Sequence, residues 1–88
     1  MTSKLKILHL EDSEPDAELV HRELKNANIE CEILLVDNKE DFIAALDSFS
    51  PQAIFADHTL PHFNSLEALK IIKEAGKKLP FILITATV

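Results

Sequence analysis

Apolar residues follow two alternating patterns along this chain: short continuous runs, and longer segments with helical spacing. Four runs predict buried strands, at residues 5–10, 29–36, 53–56 and 81–85. The segments between them place apolar residues three and four positions apart, as amphipathic helices do. This alternation predicts an α/β fold of order βαβαβαβ, with a parallel sheet and helices on both faces.

Capping residues and helix breakers give the expected helix boundaries. Ser13 and Asn38 are suited to begin the first two helices, and Asn64 or Ser65 the third. The three helices should end at Asn26–Asn28, at Ser50-Pro51 and at Gly76. The stripes expected to be buried are Ala17, Val20, Leu24 and Ala27 in the first helix, Phe42, Ala45, Leu46 and Phe49 in the second, and Leu66, Leu69, Ile72 and Ala75 in the third.

The length and composition favour one small domain that covers residues 1–88. Fifteen acidic and nine basic residues give a net charge of −6, which disfavours binding to nucleic acid. No apolar stretch is long enough to span a membrane, so no membrane association is expected. The single cysteine, Cys31, cannot form an internal disulfide, and no secretory signal is apparent, so we expect a cytoplasmic protein.

Polar residues with chemical potential follow three of the four predicted strands. Glu11 and Asp12 follow the first strand, Asp57 follows the third, and Thr85 ends the fourth. In an open parallel sheet, the carboxyl ends of the strands line the ligand crevice. Three carboxylates that meet there would repel one another unless they were protonated or bridged by a cation such as Mg²⁺. A carboxylate beside Mg²⁺ can also attack phosphorus and form an aspartyl phosphate.

The same residues resemble the receiver domain of bacterial two-component response regulators. The resemblance lies in residues 7–12 (ILHLED), 54–61 (IFADHTLP) and 80–86 (PFILITA), and their order and spacing are more specific than any one of them. It implies a doubly wound, flavodoxin-like parallel sheet with strand order 2-1-3-4. It also implies that this chain lacks the last helix, strand and helix of a full receiver domain.

The resemblance further implies a role for each residue of the site. Asp57 would accept the phosphoryl group from a histidine kinase or phosphotransfer protein, and Thr85 would hold the phosphoryl oxygens. Mg²⁺ would bind to Asp12, to Asp57 and to the backbone carbonyl of Thr59, with Glu11 acting through a bound water. The chain would therefore be a phosphoacceptor rather than an enzyme, with at most weak self-phosphorylation or dephosphorylation.

Two departures from the family pattern change these expectations. The family carries a lysine on a fifth strand, which has no counterpart here, so we expect phosphoryl transfer to be slow and the switch to be uncoupled. Ser65 stands where the family usually has glycine, which should alter the loop geometry only slightly.

The apolar segment 81–88 should favour self-association.

Two other functions remain open. The chain could be a pseudo-receiver, which assembles with other proteins without being phosphorylated. It could also be a phosphohydrolase of the haloacid dehalogenase type, although such enzymes need an acid where Thr59 stands. His58 and His62 are interpreted as surface loop residues rather than ligands of a transition metal, and His9 as a packed residue of the first strand.

Overall fold

The computed structural model describes residues 4–57 and 63–84. In this part of the chain, strands and helices alternate in the order β1 (Leu5–Leu10), α1 (Glu14–Asn26), β2 (Cys31–Val36), α2 (Lys39–Ser48), β3 (Ala53–Asp57), α3 (Ser65–Glu74) and β4 (Phe81–Ile84). The strands form a parallel sheet of order β2-β1-β3-β4. The predicted α/β architecture and strand order are confirmed.

One face of the sheet packs against α2 and α3 and forms the main core. Alternate residues of β1 and β3 contribute to it, because successive side chains of a strand point to opposite faces. Phe42 of α2 and Phe63, which precedes α3, meet edge to face with their ring centroids 5.4 Å apart. The buried cluster comprises Leu8, Leu10, Val36, Phe42, Ala45, Leu46, Ile54, Ala56, Phe63, Ala68 and Ile72.

The opposite face of β1 is also fully buried, and α1 contributes to that burial. Ile7 and His9 have no exposed surface, and Ala17 of α1 is buried as well. The prediction that His9 is a packed residue of the strand is therefore confirmed. The last four residues of β1, at positions 7–10, are all buried. This buried end of the strand leads into Glu11 and Asp12.

The helix boundaries agree with the capping signals in the sequence. Ser13, Asn38 and Asn64 each accept a hydrogen bond from the backbone amide three residues further on. Asn28 and Gly76 take left-handed backbone conformations, with φ of 61° and 70°, and each follows a helix end. Among the described residues, no helix is long and apolar enough to cross a membrane.

The prediction for the second strand was too long at its beginning. The amide of Ile29 donates to the carbonyl of Leu24 at 3.0 Å, and that of Asn28 donates to Lys25 at 3.0 Å. These two bonds are the pattern that closes a helix through a left-handed residue. Ile29 therefore completes the end of α1, and β2 begins at Cys31.

The predicted buried stripe of α3 was wrong at two of its four positions. Leu66 is 72% exposed and Ala75 is exposed, whereas Ser65, Ala68 and Ile72 face inward. Phe63 and Ala68 belong to the same buried cluster, in the arrangement in which a residue before the cap packs against the helix's fourth residue. Ala27 is likewise exposed, because α1 ends before it.

Candidate acidic site

The parallel pairing of β1 with β3 brings three carboxylates together. Leu10 pairs with Ala56, so Glu11 and Asp57 follow on neighbouring strands at the same edge of the sheet. One carboxylate oxygen from each of Glu11, Asp12 and Asp57 lies within 4.8 Å of the other two. The convergence that was expected from the ends of the strands is therefore present. We call these three residues the acidic site.

Glu11 is held in the turn between β1 and α1 by its own side chain and its backbone. Its amide donates to the carbonyl of Val36 at 2.9 Å. Its Oε2 accepts hydrogen bonds from the amides of Asp12 at 3.0 Å and Ser13 at 3.2 Å. Since Ser13 also caps α1, the turn that holds the Glu11 side chain is tied to the start of the helix.

The environment of Glu11 favours its protonated form. Glu11 and Asp57 are 4% and 5% exposed, while Asp12 is open to solvent. Burial, followed by a hydrogen bond to Asp57, raises the pKa of Glu11 to about 7, against the lowering effect of the Ser13 amide. Near neutral pH, Glu11 is therefore partly protonated unless a cation offsets these effects.

A cleft of about 210 Å³ opens beside the acidic site, between the ends of β1 and β2. Its lining consists of Glu11, Asp12, Glu14, Leu35, Val36, Asp37 and Asp41. Asp37 was not singled out from the sequence, although it directly follows β2, as Asp57 terminates β3. The signal was available, because β2 and β1 are neighbours and end at the same edge.

The acidic site fits a small, hard divalent cation. Mg²⁺ prefers carboxylate and water oxygens and usually keeps several of its waters, which one exposed and two buried carboxylates beside an open cleft allow. Burial and the repulsion from Asp57 raise the pKa of Glu11. A cation here would favour the ionised carboxylate and so lower that pKa again. Each of Glu11, Asp12 and Asp57 offers one carboxylate oxygen to such a cation.

Several residues of the predicted site lie outside the described residues. These are Thr59, whose carbonyl was expected to bind the cation, and Thr85, whose hydroxyl was expected to hold phosphoryl oxygens. His58 and His62 also lie outside this part of the chain. The roles of Thr59 and Thr85 therefore stay predictions from the sequence.

Comparison with known proteins agrees with the fold. The family model of the response regulator receiver domain matches residues 7–88. A solved structure described as the MaeR response regulator bound to beryllium trifluoride is similar, with a TM-score of 0.82 and 24% sequence identity. That match covers 96% of this chain and 69% of MaeR. No curated protein shows significant similarity in sequence.

The family match extends from the middle of β1 to the end of the chain and includes all three carboxylates of the acidic site. The chain therefore belongs to the response regulator receiver domain family.

Proposed function

We propose that this chain is a phosphoacceptor module of two-component signal transduction, which receives a phosphoryl group on Asp57 in the presence of Mg²⁺. The observation that carries the proposal is the meeting of Glu11, Asp12 and Asp57 at the carboxyl ends of two adjacent parallel strands. Membership of the receiver family supports the same function.

The proposed chemistry is a single displacement at phosphorus. A carboxylate oxygen of Asp57 attacks the phosphorus of a phosphohistidine on the partner, and the bond between phosphorus and the imidazole nitrogen breaks. The electron pair stays with the imidazole, which takes up a proton from solvent. Asp57 then carries an acyl phosphate, and the hydroxyl of Thr85 is proposed to bind one of its oxygens.

Mg²⁺ in the acidic site would neutralise charge on the transferring group. Asp12 and Asp57 are proposed as its direct ligands together with the carbonyl of Thr59, and Glu11 as a ligand through water. The low exposure of Asp57 supports this assignment, because a buried carboxylate without a cation would repel an incoming phosphoryl group.

The proposed partner is a histidine kinase or a histidine phosphotransfer protein, and the proposed compartment is the cytoplasm. The chain would act as a phosphoacceptor rather than as an enzyme with turnover. Its acidic cleft, which includes Glu14, Asp37 and Asp41, suits a partner surface that carries basic residues.

Beryllium trifluoride provides a direct test, because the similar fold of MaeR is described as bound to it. With Mg²⁺ and beryllofluoride, the amide resonances of residues 10–13 and 56–57 should shift in the wild-type protein and in Asp47→Asn, which alters an exposed acid of α2. Asp57→Asn should abolish the response. A wild-type protein that is silent at millimolar Mg²⁺, or an Asp57→Asn variant that responds equally, would refute the proposal.

A second function is a pseudo-receiver that assembles with other chains through residues 81–88. It is favoured by the exposure of two apolar residues of β4, Ile82 at 46% and Leu83 at 48%. β4 lies at the edge of the described sheet, where apolar residues promote association. Sedimentation should then show a dimer that Ile82→Thr weakens, and a monomer at high concentration would exclude this function.

A further inference from the structure

His9 lies directly below the acidic site, on the same face of the sheet. It pairs with Phe55 across β1 and β3, and Glu11 and Asp57 follow these two residues by two positions. Side chains two positions apart along a strand share a face, so the His9 ring is one step below the two buried carboxylates. Burial, with a smaller effect of His21, lowers the pKa of His9 to about 4, and the negative charge of Asp57 acts in the opposite direction. The ring and the Asp57 carboxylate are therefore close enough to interact electrostatically.

The two ring nitrogens of His9 have different surroundings. Its Nδ1 lies 3.2 Å from Nε2 of His21, on α1, which is a hydrogen bond between the two rings. Its Nε2 is the one buried side-chain nitrogen or oxygen of the described residues that has no hydrogen-bond partner. Native proteins rarely leave such an atom unpaired, and each case calls for an explanation beyond packing. Because Nδ1 is occupied by His21, Nε2 is the nitrogen left for a contact with the acidic site.

The neighbouring charge selects which nitrogen of His9 carries the proton. Burial lowers the pKa of both histidine rings, so both are neutral near pH 7 and each has one N–H. If His21 donates from its Nε2 to Nδ1 of His9, the hydrogen of His9 is on Nε2. The opposite tautomer would leave a bare lone pair at Nε2 in the field of the Asp57 carboxylate, which disfavours it. His21 therefore holds His9 in the tautomer that donates from Nε2.

We propose that His9 is a positioning residue for Asp57: once the acidic site is occupied, its Nε2 donates a hydrogen bond to the Asp57 carboxylate. This inference rests on the proposed function, in which Asp57 accepts the phosphoryl group. A carboxylate has about four acceptor sites, so one oxygen can bind the cation and the His9 N–H while the other attacks phosphorus. Hydrogen bonds of this kind are often long or poorly aligned in the empty site and tighten in the complex. His9 touches neither the cation nor the phosphoryl group.

Asparagine and glutamine at position 9 separate the roles of the two nitrogens. The amide nitrogen of asparagine lies close to the place of Nδ1, and that of glutamine lies close to the place of Nε2. His9→Asn therefore keeps the contact with His21 and loses the donor to Asp57, whereas His9→Gln does the reverse. If His9 only supported the packing of β1 against α1, His9→Asn would be the better variant. The positioning role predicts the opposite order.

The test measures the dissociation constant for beryllofluoride at saturating Mg²⁺, followed by the amide resonances of residues 56–57. His9→Asn should raise this constant about 10–100-fold, the loss typical of removing a hydrogen-bond partner of a metal ligand, and His9→Gln should raise it clearly less. Urea unfolding at pH 7.5 checks that both variants are folded. An equal loss in the two variants, or a smaller loss in His9→Asn, overturns the inference alone. A wild-type protein that does not respond refutes the proposed function, and the inference with it.

The wild-type protein gives a second test, which does not depend on the folding of a variant. The ¹⁵N shifts of a neutral imidazole distinguish the N–H nitrogen from the bare one, so they identify the tautomer of His9. Its Nε2 should carry the proton, and the Nε2–H signal should move downfield when Mg²⁺ and beryllofluoride are added. A proton on Nδ1, or an Nε2–H signal that stays in place while the amide of Asp57 shifts, overturns the inference.

Discussion

Replacing Glu11 by glutamine should stabilise the protein above pH 7 when no divalent cation is present. Glutamine has nearly the size of glutamate, and its carbonyl oxygen can still accept hydrogen bonds from the amides of Asp12 and Ser13. What it removes is the negative charge that Glu11 acquires next to the buried Asp57. The change therefore isolates the electrostatic cost of assembling the acidic site.

The size of this cost follows from the pKa of Glu11, which rises from 4.5 to about 7 on folding. Below pH 4.5 the folded and unfolded states both hold the proton, and Glu11 causes no penalty. Between pH 4.5 and 7 the unfolded state loses it first, so stability falls as the pH rises and the penalty is complete above pH 7. At about 1.4 kcal/mol per tenfold change in proton affinity, the penalty reaches about 3 kcal/mol, and we expect a gain of about 1–3 kcal/mol at pH 8.

The wild-type pH profile alone does not reveal this effect, because His9 acts in the opposite direction. Its pKa falls from 6.5 to about 4 on folding, so its contribution to stability is present above pH 6.5 and is lost as the pH drops toward 4. The two effects overlap between about pH 4.5 and 6.5 and partly cancel there. The informative quantity is therefore the difference between Glu11→Gln and the wild-type protein at each pH.

Urea unfolding followed by far-ultraviolet circular dichroism measures this difference, since the chain has no tryptophan or tyrosine for fluorescence. With a slope of about 1 kcal/mol per molar urea, the midpoint at pH 8 should rise by about 1–3 M. Glu32→Gln, which removes the same charge from an exposed position of β2, should change it little. Equal midpoint changes in the two variants, or a gain from Glu11→Gln that is the same at pH 4.5 and pH 8, would refute the reasoning.

Three further predictions concern the fold around the site. His9→Leu should raise the stability at pH 4.5 relative to that at pH 7.5, compared with the wild-type protein, which urea midpoints at the two pH values would measure; an unchanged difference between the two pH values would contradict the pKa assigned to His9. Phe42→Ala should cost about 3–5 kcal/mol, since Phe42 is fully buried against Phe63, whereas Ile43→Ala, at a half-exposed neighbour, should cost below about 1 kcal/mol. Asn38→Ala should lower the free energy of unfolding by about 1 kcal/mol in thermal or urea experiments. The reason is that Oδ1 of Asn38 accepts a hydrogen bond from the Asp41 amide at 2.8 Å; no loss would mean that water replaces the cap.

The fold and the convergence of the carboxylates could be predicted because both depend on local pattern and chain order. Apolar runs between amphipathic segments require parallel strands, and parallel strands place their carboxyl ends at one edge. Glu11, Asp12 and Asp57 each stand directly at such an end, so their meeting follows from the pairing of β1 with β3.

Other features could not be read from the pattern, because they depend on how elements rotate and pack. The inward face of α3 is set by Phe63 and Ala68 in the core rather than by the most apolar residues, which leaves Leu66 exposed. The contact of His9 with His21 joins a strand to a helix, and although His9 was predicted to pack within the strand, the pattern does not show which residue of α1 lies against it.

A Mg²⁺ titration followed by amide resonances tests the central claim most directly, namely that residues distant in sequence form one cation site. The amides of Glu11, Asp12 and Asp57 should shift along a single binding curve, and Asp57→Asn should weaken the response at Glu11 and Asp12 as well as at its own position. Separate curves for the two strands, or an undiminished response at Asp12 in the Asp57→Asn variant, would contradict the claim.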